Sequence, residues 1–163
     1  MELYVFENYK SLYPELTGKE LTDRLALCAL EEYGADDAVI ARTYKGKPYV
    51  LNHQDIYFSV SHSGGFFVCL IGDTPLGVDI QKRSKTNIDG IIKRYFTEGE
   101  REYIEERGDS AFFTLWARKE AYAKYTGEGL QAILAKAPVL NRKDVEFFDF
   151  QLERDLYGSW CSI

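Results

Sequence analysis

Glu120 and Lys124 stand four residues apart in FFTLWARKEAYAKYTGEGL, the stretch from Phe112 to Leu130, and Trp116 stands four residues before Glu120. On a helix that spacing puts all three on one face, so an aromatic, an acid and a base share a stripe. Alone, such a Glu-to-Lys pair is an ordinary exposed ion pair worth roughly 0.3 kcal/mol. It gains chemical meaning beside a second acid, and Asp79 offers one inside the apolar run Gly77-Val-Asp-Ile-Gln81. A carboxylate buried there is costly unless it is paired, hydrogen-bonded or bound to a metal. Strand alternation puts Asp79 and Gln81 on one face, where both could turn toward one hard cation. His62 lies in the polar knot Ser61-His-Ser-Gly-Gly65, a loop in which side chains and backbone N–H groups could converge on an anion.

The elements that must position these groups are legible in outline. The stretch around Glu120 is rich in helix formers, has Asp109 or Ser110 to cap it, and meets Gly127 as a left-handed end. An edge strand is expected over 2–9 and a helix over 19–33 behind the capping-box pattern Thr17-Gly-Lys-Glu20. Strands are expected over 38–44, 56–61, 66–71 and 76–81, with a turn at Lys45-Gly-Lys-Pro48. Phe66–Ile71 is continuously apolar and reads as a central strand. Helices over 88–95 and 98–107, the second behind a capping box at Thr97 and Glu100, precede the Glu120 helix; strands over 145–152 and 156–161 follow it. The fold class is α+β, in two halves, 1–75 and 76–163.

A chain of 163 residues has room for one well-buried core. No apolar run is long enough to span a membrane, and MELYVFENYK does not read as a signal peptide. Three cysteines, Cys28, Cys69 and Cys161, have no paired spacing, which points to reduced thiols in a cytoplasm. The net charge of −6 arises within residues 1–40, where nine acids face three bases. Nucleic acid is excluded as an expected partner, because no basic arm or helix with interleaved aromatics is present. One local basic cluster remains, Lys82, Arg83, Lys85, Lys93 and Arg94.

Taken together, Gly46-Lys-Pro48, Phe58-Ser-Val-Ser-His-Ser-Gly64, Gly77-Val-Asp-Ile-Gln81 and Trp116-Ala-Arg-Lys-Glu-Ala-Tyr-Ala-Lys124 with Gly127-Glu-Gly-Leu130 closely resemble the ordered motifs of the 4′-phosphopantetheinyl transferases. The matched span is about residues 42 to 130. Because the Asp79 motif lies mid-chain, the resemblance is to the surfactin-synthetase-activating branch, a monomeric pseudodimer of two similar α+β halves with one cleft. It implies transfer of phosphopantetheine from coenzyme A to a serine of an acyl or peptidyl carrier protein, with Mg2+, releasing 3′,5′-ADP. It also implies roles for residues: Asp79, Gln81 and Glu120 at the metal; Glu120 as base, with Lys124 and His62 as the other catalytic groups; Ser61, His62 and Lys124 on the phosphates; Lys47 and Arg42 at the nucleotide end. Many relatives carry an acid where Gln81 stands, so weaker metal binding is expected here. Relatives also carry several bases before the position of residue 40, where only Lys10, Lys19 and Arg24 are available. The alternative reading is a relative that binds coenzyme A or a carrier protein without transfer. Carrier proteins are generally acidic, which makes the Lys82–Arg94 cluster the expected docking surface.

Overall fold

In the computed structural model, residues 1–84, 87–129 and 137–163 are described. Lys85 of the basic cluster and Leu130 of the last motif lie outside them. The first sheet contains β1 (Glu2–Glu7), β4 (Tyr57–Ser63) and β5 (Phe66–Gly72), antiparallel in the order β1-β5-β4. The central position of β5 explains its unbroken apolar sequence, since every residue in it is buried. Helix α1 (Gly18–Tyr33) covers one face of this sheet. Its buried residues Leu21, Leu25, Ala26, Ala29 and Leu30 follow helical spacing and pack on Phe58, Phe67, Cys69 and Ile71. The short strands β2 (Ile40–Arg42) and β3 (Pro48–Val50) form a hairpin of their own.

The second sheet has β6 (Leu76–Lys82), β7 (Glu146–Glu153) and β8 (Leu156–Ser162), in the order β6-β8-β7. Between β6 and β7 run α2 (Ile88–Tyr95), α3 (Glu98–Arg107) and α4 (Asp109–Thr126). Both sheets thus share one connectivity: a strand, a helical segment, then a hairpin, with the last strand central. The sheets also pack on each other, with Phe66, Val68 and Leu70 of β5 in one buried cluster with Leu76, Val78 and Ile80 of β6. Each such side chain removed from water stabilises the fold by about 2 kcal/mol.

The junction between the sheets is made by side chains. The backbone N–H groups of Val78, Ile80 and Lys82 on β6 donate to the hydroxyls of Ser59, Ser61 and Ser63 on β4, at 3.1, 3.2 and 3.0 Å. The constant offset means that β4 and β6 run parallel. It also corrects the expected loop at Ser61-His62-Ser63: β4 continues through these residues to Ser63, because alternate serines are needed to satisfy β6.

Helix α4 lies directly on β6. A Cβ at Gly77 would fall 2.1 Å from the carbonyl oxygen of Ala121 and 2.6 Å from the backbone nitrogen of Tyr125, so only glycine permits this approach. Trp116 is half-buried against the core, stacked on Phe96 and Phe112 at centroid distances of 6.1 and 6.2 Å. The Thr97 capping box forms as expected. The Thr17 one does not: Thr17 is the N-cap without a side-chain cap bond, and Gly18 enters the helix at φ 53°, outside the helical range that box requires. Neither Asp109 nor Ser110 caps α4; Gly108 occupies its N-cap, while Gly127 ends it at φ 69° as expected.

One ion pair inside this layer is fully buried. Lys119 Nζ lies 2.9 Å from Glu100 Oε2, and each side chain is 1% exposed. Lys119 also donates to the Ala137 carbonyl at 3.1 Å, while Glu100 accepts from the Val139 and Thr97 backbone N–H groups at 2.7 and 3.0 Å. The pair therefore ties α3 and α4 to the chain returning toward β7. Lys119→Ala is expected to cost about 3–5 kcal/mol in urea unfolding, because it strands a buried carboxylate. A loss under 1 kcal/mol would mean that water reaches Glu100.

Candidate active site

Asp79 is the most buried and most fully bonded acid of the site. It is 3% exposed, and its carboxylate is bonded by Lys124, Ser61 and Gln81, each a residue singled out in the sequence. Lys124 Nζ donates to Asp79 Oδ1 at 2.7 Å, Ser61 Oγ donates to the same oxygen at 2.8 Å, and Gln81 Nε2 donates to Oδ2 at 2.7 Å. Lys124 donates further to the Val78 carbonyl at 3.1 Å. The contact over Gly77 is what brings α4 close enough for this.

Glu120, one turn before Lys124, faces the same ground. Loss of water around its carboxyl, and then the negative charge of Asp79, push its pKa up from 4.5 to about 7; Lys124 opposes the rise. Glu120 and Lys124 line a cavity of about 250 Å3 together with Lys45, Lys47, Phe58 and Ser59. Lys47 reaches it beneath Gly127, where a Cβ would meet the lysine chain at 3.1 Å. Its ammonium donates to the Tyr125 carbonyl at 2.7 Å, near the negative end of α4, and burial lowers its pKa. Lys45 closes the rim with Glu128 at 3.1 Å.

Two expected members are elsewhere. Arg42 is paired with Asp23 of α1 through both terminal nitrogens and does not line this cavity. His62 follows Ser61 on the strand, so it points to the opposite face. There it contributes to a separate cavity of about 540 Å3, with Tyr9, Lys10, Thr17 and Lys19. Its Nδ1 lies 3.2 Å from the hydroxyl of buried Tyr9. Although the ring keeps an exposed edge, lost hydration, then the charges of Lys124 and Lys10, lower its pKa. Tyr9, Phe58 and Ser59 were not anticipated. Phe58 and Ser59 open the motif that runs to Gly64 but carry no role in the sequence reading, and Tyr9 lies outside every motif. Arg24, the third N-terminal base, lies over the Tyr13 ring at 5.3 Å and pairs with Glu31.

The donor set suits a hard divalent cation in one respect and limits it in another. The Asp79 charge adds to the cost of ionising Glu120, which a cation would relieve. Among the described residues no cluster of three or more His, Cys, Asp or Glu is present, so phosphate oxygens and water would have to supply further ligands. Gln81 serves here as a donor to Asp79, and would ligate only by turning its amide oxygen inward.

Residues 75–162 match the 4′-phosphopantetheinyl transferase superfamily. A 4′-phosphopantetheinyl transferase of Bacillus subtilis is 34% identical over 122 residues, covering 71% of this chain and 54% of that protein. The 4′-phosphopantetheinyl transferase gsp of Aneurinibacillus migulanus is 33% identical over 129 residues, covering 77% and 53%. Sfp of Bacillus subtilis strain 168 is 31% identical over 103 residues, covering 61% and 46%. The chain spans about half the length of these curated relatives. The family match runs from the strand that holds Asp79, through the helix that holds Glu120 and Lys124, to the last strand, and on that evidence the chain belongs to the 4′-phosphopantetheinyl transferase superfamily.

Proposed function

We propose that this chain transfers 4′-phosphopantetheine from coenzyme A to a serine of an apo acyl or peptidyl carrier protein. The observation that carries this reading is the meeting of Asp79, Lys124 and Glu120 beside one cavity where the two sheets join. All three belong to one chain, which supports a monomeric catalyst.

Asp79 and Glu120 would hold Mg2+, with Gln81 a weak third ligand. When bound, the metal neutralises pyrophosphate oxygens and so lowers the barrier to displacement at phosphorus. The chain's own residues do the rest. Glu120 takes the proton of the carrier serine as its oxygen attacks the β-phosphorus, and the bond from phosphorus to the bridging oxygen breaks to release 3′,5′-ADP. Lys124, held between Asp79 and the Val78 carbonyl, retains a free N–H for the charge that develops on the leaving group. Lys10, Lys19 and His62, at the amino end of α1, make the cavity behind β4 suitable for the remaining phosphate. Lys47 bounds the nucleotide end, while Arg42 acts there only if its pairing with Asp23 is broken.

The direct test is intact-protein mass spectrometry of several apo carrier proteins after incubation with this protein, coenzyme A and Mg2+, with and without chelator. A phosphopantetheine mass gain that chelation abolishes is expected. Absence of gain on every carrier, with coenzyme A still bound, would favour the second reading, binding without transfer, which the half-length match to the relatives keeps open.

The members of the basic cluster differ in how they are paired. Lys82 is engaged by Glu153 and Asp155, at 2.9 and 2.8 Å, and Arg83 by Asp109 at 3.0 Å. Lys93 and Arg94 are exposed on α2, and we assign the acidic carrier to them. Reversing both to Glu should raise the carrier KM about fivefold and flatten its salt dependence, with the KM for coenzyme A unchanged. An unchanged carrier KM would remove α2 from the interface. Among the described residues no helix is long and apolar enough to cross a membrane.

A further inference from the structure

Ser61 differs from its neighbours in the junction. Ser59 and Ser63 each accept one N–H from β6, and Ser61 does the same for Ile80 at 3.2 Å. Only Ser61 also spends its proton on a carboxylate, donating to Asp79 Oδ1 at 2.8 Å. A hydroxyl has a single proton, so that donation leaves Ser61 none for a phosphate oxygen. It is 6% exposed and lines neither the cavity beside Glu120 nor the one beside His62.

We infer that Ser61 is a positioning residue for Asp79 and not a phosphate contact. The Ile80 N–H fixes the hydroxyl from one side, and the hydroxyl then fixes Asp79 Oδ1 from the other. This matters because the same oxygen also receives the Lys124 ammonium at 2.7 Å. Without a second donor the carboxylate is free to swing toward the lysine, which withdraws it from any other cation. Outer partners that orient a ligand in this way typically change metal affinity 10- to 100-fold when removed. The inference rests on the reading of Asp79 as a metal ligand.

The test is Mn2+ binding, followed by electron paramagnetic resonance, to the protein with coenzyme A bound and no carrier present. Ser61→Ala should weaken Mn2+ binding by about tenfold. Ser63→Ala, which loses a junction bond of the same kind but no contact with Asp79, should stay within twofold of the parent. Ser61→Thr, which keeps the hydroxyl, should recover most of the loss. If Ser61→Ala does not fold, Ser61→Cys, a weaker donor of similar size, should fall between parent and the tenfold loss. Equal Mn2+ affinities for the Ser61 and Ser63 variants would overturn the inference. So would a loss of coenzyme A affinity by Ser61→Ala measured in chelator, since that marks a phosphate contact. Failure of the parent itself to bind Mn2+ with coenzyme A would overturn the metal reading of Asp79, and this inference with it.

Discussion

Glu120→Gln should abolish carrier modification and stabilise the metal-free protein. The two halves of this result come from one cause. Burial away from water and the Asp79 charge raise the Glu120 pKa from 4.5 to about 7, so at pH 8 the folded protein holds a carboxylate that its surroundings disfavour. The whole shift would convert to about 3 kcal/mol, and residual exposure reduces the expected gain to about 2 kcal/mol. The direction follows from proton binding. Stability associated with the neutral carboxyl is fully present below about pH 4.5 and is lost as the pH rises through about 7. Glutamine never ionises, so the variant matches the parent at pH 4 and exceeds it at pH 8. Urea unfolding at the two pH values, in chelator, reads the difference. In the transfer assay the variant loses both the proton acceptor and one of two carboxylates, and kcat/KM should fall by at least about 10^3-fold. Transfer at a rate near the parent's would take Glu120 out of the mechanism. Equal stability at pH 8 would mean that Lys124 already offsets the charge.

Gly77→Ala should do comparable damage from outside the cavity. Its added methyl meets the main chain of α4, 2.1 Å from one atom and 2.6 Å from another, and main chain cannot rotate aside as a side chain can. The φ angle of Gly77 is not in the left-handed range, so the obstacle is space alone. Helix α4 must lift from β6. Overpacking of this kind costs about 1–3 kcal/mol, and more where backbone is involved. The lift also separates Lys124 from Asp79, whose 2.7 Å bond depends on the close approach. A fall in kcat/KM of about 10^2-fold is expected, with the melting temperature lowered in the same variant, since a 1 Å misplacement is enough for such a loss. Full activity with a lowered melting temperature would show that the catalytic groups follow the strand and not the helix.

The Asp79 reading was legible because buried charge is expensive: a lone acid in an apolar strand demands partners, and it has three. The helix of Glu120 and Lys124 was legible from composition and from Gly127. The remainder depended on contacts between distant segments, which local pattern does not encode. Ser61, His62 and Ser63 look like a loop because polar residues rarely fill a strand, and the reason they do so here lies on β6. Arg42 looks available until α1 brings Asp23 to it. Lys119 sits in the most charged part of a motif yet is nearly inaccessible, because its partner Glu100 arrives from another helix. The strand β3 was hidden by the turn residues Gly46 and Pro48.

The junction of Ser59, Ser61 and Ser63 with Val78, Ile80 and Lys82 works as a parity check on assembly. Slide β6 along β4 by one residue and its free N–H groups face the wrong way, so no hydroxyl is met. Slide it by two and the hydroxyls match again, with Ser63 now beside Asp79. The serines therefore exclude odd misalignments and are blind to even ones. What bears on the even settings is the three-residue link Asp73-Thr74-Pro75 between β5 and β6, which would have to extend to follow a slide of about 7 Å, the length of two strand residues. Alignment of the two halves is thus divided between a repeating side-chain code and a single tether. Lengthening that tether by two residues is the change to which the code itself offers no resistance.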